Sequence, residues 1–130
     1  MTREVVAVVG ADGAVLRWST GDGASVPDDR GLWECLWAAR DGLLGVAHSH
    51  PGSGPPAPSS EDLSTFAACE AGLGRRLRWW IATADGVIAV EWTGPGRTEY
   101  GAVSPGPTPW LEELRRRSGF GLASGPGRSP

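Results

Sequence analysis

The feature that most constrains this chain is an apolar run, Leu43-Leu44-Gly45-Val46-Ala47, that ends in His48-Ser49-His50-Pro51. A turn-rich stretch, Gly52 to Pro58, separates it from Ser59-Ser60-Glu61-Asp62 and then Leu63-Ser64-Thr65-Phe66-Ala67-Ala68-Cys69. A short apolar run bounded by turn residues reads as a buried strand, the Gly/Pro-rich stretch as loop, and the residues from Asp62 onward as the start of a helix. That order commits the middle of the chain to sheet packed against helix. The run also contains the only two histidines. Side chains two apart on a strand point the same way, so His48 and His50 present both imidazoles to one side of the sheet.

The flanking sequence extends the same pattern. Glu4-Val5-Val6-Ala7-Val8-Val9 is β-branched and apolar, a good strand apart from its leading carboxylate. Asp12-Gly13 offers a hairpin turn into a returning strand from Ala14 to Trp18, and Ser19 to Pro27 reads as loop. A helix is expected over 28–40, capped by Asp28 or Asp29, with Leu32, Trp33, Leu36, Trp37 and Ala39 on its apolar stripe. After a second helix over about 60–72, Leu77 to Thr83 and Val87 to Trp92 make a hairpin around Ala84-Asp85-Gly86. Tyr100 to Val103 is a short extended piece, and Trp110 to Arg117 a short helix with Pro109 near its first turn. Residues 119–130, rich in Gly, Ser and Pro, are expected to form a flexible tail behind a single domain over 1–118. Strands alternating with helices define an α/β (α+β) class: a mixed β-sheet flanked by helices around one core.

Composition narrows the function classes. With 130 residues, a 40% hydrophobic fraction and a net charge of −3, the chain is globular, and its charge favours neither nucleic acid nor an anionic membrane as partner. No apolar run approaches membrane-span length and no signal pattern opens the sequence, so cytoplasm is the expected location. Cys35 and Cys69 lie in no Cys-x-x-Cys motif and are expected to stay reduced. The basic residues are all arginine, 12 of them, and Gly and Pro number 20 and 11. A GC-rich genome accounts for that bias together; selection against acceptor amines beside a lysine-conjugating system is the sharper alternative. The arginines at 75, 76 and 78 and at 115–117 read as solvated surface beside acidic neighbours. The seven tryptophans are expected to carry much of the core.

Neutral imidazoles suit a borderline metal such as zinc, and a catalytic zinc takes three protein ligands. Asp62 is the natural third, since the loop can fold the helix start over the strand end and an acid there suits the helix dipole. His-x-His alone is a weak indicator, and Ser59-x-x-Asp62 alone matches a capping box, a purely structural device. Joined by a short loop behind a buried strand, the two are far more specific.

His48-Ser49-His50-Pro51 followed by Ser59-Ser60-Glu61-Asp62 resembles the JAMM signature of the JAB/MPN (MPN+) metalloprotease family. The loop of eight residues, Pro51 to Pro58, is one longer than the usual spacing; Ser59 takes the motif position, with Ser60 the alternative. Glu4-Val5-Val6-Ala7-Val8-Val9-Gly10 looks like the family's early glutamate-bearing strand, with Ala7 where glycine is common. The resemblance covers roughly residues 3–93 and implies a cytidine-deaminase-like fold. It implies Zn²⁺ on His48, His50 and Asp62, Glu4 as general base for a zinc-activated water, and Ser59 as donor to the oxyanion. It further implies a small bacterial stand-alone, deubiquitinase-like peptidase. Such an enzyme would cleave after the C-terminal Gly-Gly of a ubiquitin-like or sulfur-carrier protein, with E1-like or E2-like enzymes of the same operon as partners. Two alternatives stand beside it. One is a JAB domain of the DNA-repair-annotated kind, against which Ser49 replaces an Asn. The other is a non-catalytic zinc-stabilised binding module, disfavoured because no fourth ligand is evident in the sequence.

Overall fold

In a computed structural model, the described residues are 3–21, 30–51 and 54–120. They form six strands and three helices: β1 (Glu4–Gly10), β2 (Val15–Gly21), α1 (Arg30–Ala39), β3 (Leu43–Ser49), α2 (Ser60–Leu73), β4 (Arg78–Ala82), β5 (Val87–Trp92), β6 (Tyr100–Val103) and α3 (Leu111–Ser118). A 3₁₀ turn, Arg40–Gly42, joins α1 to β3. The strands make one sheet in the order β2-β1-β3-β4-β5-β6. Only β3 and β4 run parallel, with α2 as the crossover between them; every other pair is antiparallel. This is the expected mixed sheet flanked by helices, and it has the JAB/MPN architecture.

The sheet is buried on both faces, so its inner strands read as continuous apolar runs rather than as alternating ones. On one face Val6, Val8, Val46, Trp79 and Ile81 meet Leu32 and Leu36 of α1 and Phe66, Cys69 and Leu73 of α2. On the other, Val5, Ala7, Val9, Ala47, Trp80 and Ala82 meet Trp110 and Leu114 of α3. The expected single core is thus two clusters, one on each side of the sheet. Phe66 stacks on Trp79 at 4.2 Å between centroids, and Trp80 meets Trp110 edge-on at 5.2 Å. These three tryptophans are buried. Trp37, placed on the α1 stripe from the sequence, is instead 47% exposed, because Leu32 and Leu36 already occupy the face turned to the sheet. Its ring carries the Arg40 guanidinium at 3.9 Å.

Other departures are local. β2 runs on through Ser19–Gly21, expected as loop, because β1 offers backbone partners as far as Glu4, which pairs with Gly21. Asp28 and Asp29, the expected caps of α1, lie outside the described residues. Of the residues expected in the tail, Gly119 takes the left-handed φ of 88° that ends α3 and Phe120 is buried at 8% exposure, while 121–130 lie outside the described residues. Gly72 makes room for a side chain of α1: a Cβ there would come within 2.7 Å of the Trp33 ring, which would have to shift. Both cysteines are free thiols, Cys69 buried and Cys35 half-buried. No described helix is long and apolar enough to cross a membrane.

One buried carboxylate escaped sequence reasoning. Glu70 of α2 is 3% exposed and accepts hydrogen bonds from Leu77 N (2.9 Å), Trp79 Nε1 (2.8 Å), Tyr100 Oη (2.5 Å) and Arg76 (3.0 Å). It fastens the crossover helix to β4 and β6. Of the arginines expected at the surface, Arg116 and Arg117 are exposed and pair with Glu113, and Arg78 pairs with Glu91; Arg75 and Arg115 are instead half-buried and donate to the carbonyls of Arg40 and Thr83, and Arg76 reaches the buried Glu70.

Candidate metal centre

β3 delivers His48 to the face shared with α1 and α2, where it is 7% exposed and edge-on to Phe66. His50 lies just past the end of β3, yet its amide still donates to Ala82 O at 2.9 Å, so the extended course continues for one more residue alongside β4. Alternation therefore brings both imidazoles to the same side, with ring centroids 4.8 Å apart.

The loop that follows is held at Gly54. Gly54 N donates to Asp85 at 2.6 Å, and Thr83 Oγ1 donates to Gly54 O at 2.6 Å. Arg115 of α3 in turn donates to Thr83 O at 3.1 Å. The β4–β5 turn is thus a clamp on the loop, a connection no local motif announces.

α2 begins on Ser59, whose extended backbone places Oγ to accept the Asp62 amide at 3.0 Å, while Asp62 Oδ2 accepts the Ser59 amide at 2.9 Å. This reciprocal pair is a capping box, and Ser60 is the first residue of the helix itself. The structural reading of Ser-x-x-Asp is correct, and it does not compete with the chemical one. The same Asp62 Oδ2 lies 2.9 Å from His50 Nε2 and 3.6 Å from His48 Nε2, and the two Nε2 atoms are 3.0 Å apart. The cap is the device that aims the carboxylate.

Glu4 opens β1 and shares a face with Val6 and Val8; Val6 pairs with His48 across the sheet. Its carboxylate and the two imidazoles offer ligand atoms all within 4.8 Å of one another, a group that could hold a metal ion. The four side chains line a cavity of about 620 Å³ together with Ser59, Ser60, Ser64 and Thr65. The structure thus gathers Glu4, His48, His50, Ser59 and Asp62, all five residues singled out in the sequence, at one place.

The donor set fits a borderline divalent cation. Two imidazole nitrogens and one carboxylate oxygen, 2.9 to 3.6 Å apart, are the donor types that would hold such an ion. Without a cation, protons must do that work. The hydrogen bond to Asp62 raises the His50 pKa, helped by the charges of Asp62 and Glu4 and opposed by burial. Burial acts against the Asp62 charge, but hydrogen bonds from His48, His50 and the Ser59 amide prevail and hold its carboxyl far below the ordinary range.

A mixed sheet between two helices and a third, with two histidines leaving a central strand toward an aspartate at a helix start, defines an α+β domain of the JAB/MPN fold with a candidate metal site. The family described as prokaryotic homologs of the JAB domain matches residues 3–93, from β1 through β5, and the chain belongs to that family. No curated protein matches it.

Proposed function

We propose that the protein is a JAMM-type zinc metallopeptidase. In this reading it hydrolyses the isopeptide or peptide bond after the C-terminal Gly-Gly of a ubiquitin-like or sulfur-carrier protein. The observation that carries the reading is the convergence of His48 Nε2, His50 Nε2 and Asp62 Oδ2, with Glu4 beside them at the wall of an open cavity.

His48, His50 and Asp62 would hold the zinc. When bound, zinc supplies Lewis acidity, polarising a carbonyl and letting water ionise near neutral pH. Glu4 takes the proton of the attacking water and returns it to the leaving amine, a relay that requires a carboxylate one water away from the reacting centre. Ser59 Oγ already accepts the Asp62 amide, which leaves its own proton to donate to the oxyanion. The capping box holds that hydroxyl in one place, so the donor is organised before charge develops. Cytoplasmic operation beside E1-like or E2-like enzymes is part of the same proposal.

The position of Glu4 favours one second reading. Within 4.8 Å of both imidazoles, its carboxylate is near enough to act as a fourth ligand and close the site, as in a zinc-stabilised binding module. Glu4→Gln separates the two. As general base, Glu4 can be replaced with zinc affinity unchanged while cleavage of a C-terminal fluorogenic ubiquitin-like fusion falls about 10²–10⁴-fold. As ligand, its replacement weakens zinc binding instead. Wild-type protein purified without chelator and found free of zinc by elemental analysis would remove both readings.

A further inference from the structure

The strand that carries Glu4 is anchored from an unexpected direction. β1 pairs with β2 as far as Glu4, but its pairing with β3 stops at Val6–His48. At Glu4 and Val5 the edge turned toward β3 therefore has no backbone ladder, and a strand end with one neighbour frays readily. Two residues outside β1 take over the task. Val5 N donates to Ser49 Oγ at 3.0 Å, and Arg3 N donates to the carbonyl of Ser118, the last residue of α3, at 3.0 Å. Ser118 Oγ lies 2.7 Å from Ser49 Oγ and 2.7 Å from Leu114 O.

Each hydroxyl has one proton, and one arrangement uses both: Val5 N–H to Ser49 Oγ, Ser49 O–H to Ser118 Oγ, Ser118 O–H to Leu114 O. Ser49 and Ser118 are 0% exposed, so water does not compete for these bonds. Glu4 is thus bracketed. The amide before it is tied to the Ser118 carbonyl, and the amide after it to the Ser118 hydroxyl through Ser49. Val5 packs into the α3-side cluster, so Glu4, its neighbour on the strand, is turned to the opposite face, toward His48 and His50.

The geometry points to Ser118 as a positioning residue for Glu4, acting through Ser49, so that α3 braces the candidate site from the far side of the sheet. α3 lies beyond residues 3–93, and the brace is therefore supplied by a part of the chain that the family match does not reach. Ser49 sits between the two histidines and couples both halves of the site to one helix. The kinetic consequence rests on the peptidase reading; the mechanical one does not.

The test uses the full chain and three variants: Ser118→Ala, Ser49→Ala and the double. In metal-free protein, NMR amide exchange at Val5 should quicken by at least about 10-fold in Ser118→Ala, while Val8 and Val9 keep wild-type protection. Zinc affinity should stay within about threefold, since no ligand has moved to a new element, while kcat on a fluorogenic ubiquitin-like fusion falls roughly 10–100-fold with KM unchanged. The double variant should be no slower than Ser49→Ala by more than about twofold, because a relay broken once is not broken further.

Unchanged exchange at Val5 overturns the brace. So do additive losses in the double variant, or a wild-type kcat at temperatures where Ser118→Ala remains folded. If wild type cleaves no fusion, the peptidase reading fails by itself, and the exchange result still decides the brace. Should Ser118→Ala not fold, Ser118→Cys, similar in volume and a weaker donor, replaces it in the same comparison.

Discussion

Asp62 performs two tasks with one oxygen, and two substitutions pull them apart. Its Oδ2 accepts the Ser59 amide at 2.9 Å and lies 2.9 and 3.6 Å from the two imidazole nitrogens. Asparagine keeps a carbonyl oxygen for the Ser59 amide but loses the charge, so in metal-free protein Asp62→Asn should cost at least about 0.3–1 kcal/mol, the worth of an acid in a helix's first turn. Alanine removes the acceptor too. With the side chain 20% exposed, water replaces part of that bond, and the total should reach about 1–2 kcal/mol. For zinc the two variants should be equivalent. Loss of an outer hydrogen-bond partner of a ligand already weakens binding roughly 10–100-fold, so loss of a direct anionic ligand should exceed 100-fold. Zinc at 100 times the wild-type Kd stabilises that protein by about 2.7 kcal/mol, and should add less than about 0.5 kcal/mol to either variant. Urea unfolding at pH 8 with chelator and then with buffered zinc measures both quantities. Zinc stabilisation of Asp62→Asn equal to that of wild type would refute the ligand assignment. Equal metal-free stabilities for the two variants would refute the capping argument.

Three further outcomes are expected. In metal-free protein His50, whose pKa is raised, adds stability that is complete below about pH 6.5 and lost as pH rises through its folded value; Asp62, whose pKa is lowered, adds stability present above about pH 4 and lost on acidification. Their joint contribution should therefore peak between roughly pH 4 and 6.5, and Asp62→Asn should flatten both limbs of the urea midpoint plotted against pH. Glu70→Ala strands the buried Leu77 N–H and Trp79 Nε1–H and frees Arg76 from its partner, so it should cost about 3–5 kcal/mol by urea denaturation; a loss below about 1 kcal/mol would show that the hub is dispensable. Burial, helped by the neighbouring Glu70 charge, pushes the Cys69 thiol up to about 11. A thiol reagent at pH 8 should thus modify Cys35 in the native protein and reach Cys69 only after denaturation; two native thiols reacting at one rate would contradict this burial.

Much of the fold could be read in advance because its elements are locally encoded. The hairpin at Asp85-Gly86, the crossover helix and the strand before His48 each have a turn residue or a periodicity that needs no distant partner. The misreadings occur where a neighbour decides. Ser19–Gly21 becomes strand only because β1 extends far enough to pair with it. Trp37 looks identical to its stripe-mates in sequence, and it is left in solvent because the sheet is already covered by Leu32 and Leu36. A tertiary surface has a finite area, and periodicity does not record when it is full.

The candidate site divides in the same way. By itself the sequence determined which residue types could meet: two imidazoles in phase on a strand, an acid three residues into a helix start, and a carboxylate out of place at the head of an apolar strand. Those are consequences of side-chain chemistry and of the repeat lengths of strand and helix. Only the tertiary structure decided that Glu4 lies within 4.8 Å of the histidines across 44 residues of chain, and what keeps it there. The Glu70 hub, the Thr83–Gly54 clamp and the Ser49–Ser118 relay join residues far apart in sequence through single polar contacts. Such contacts have no period and no fixed spacing. They become visible, and energetically significant, only once folding has excluded the water that would otherwise satisfy the same groups.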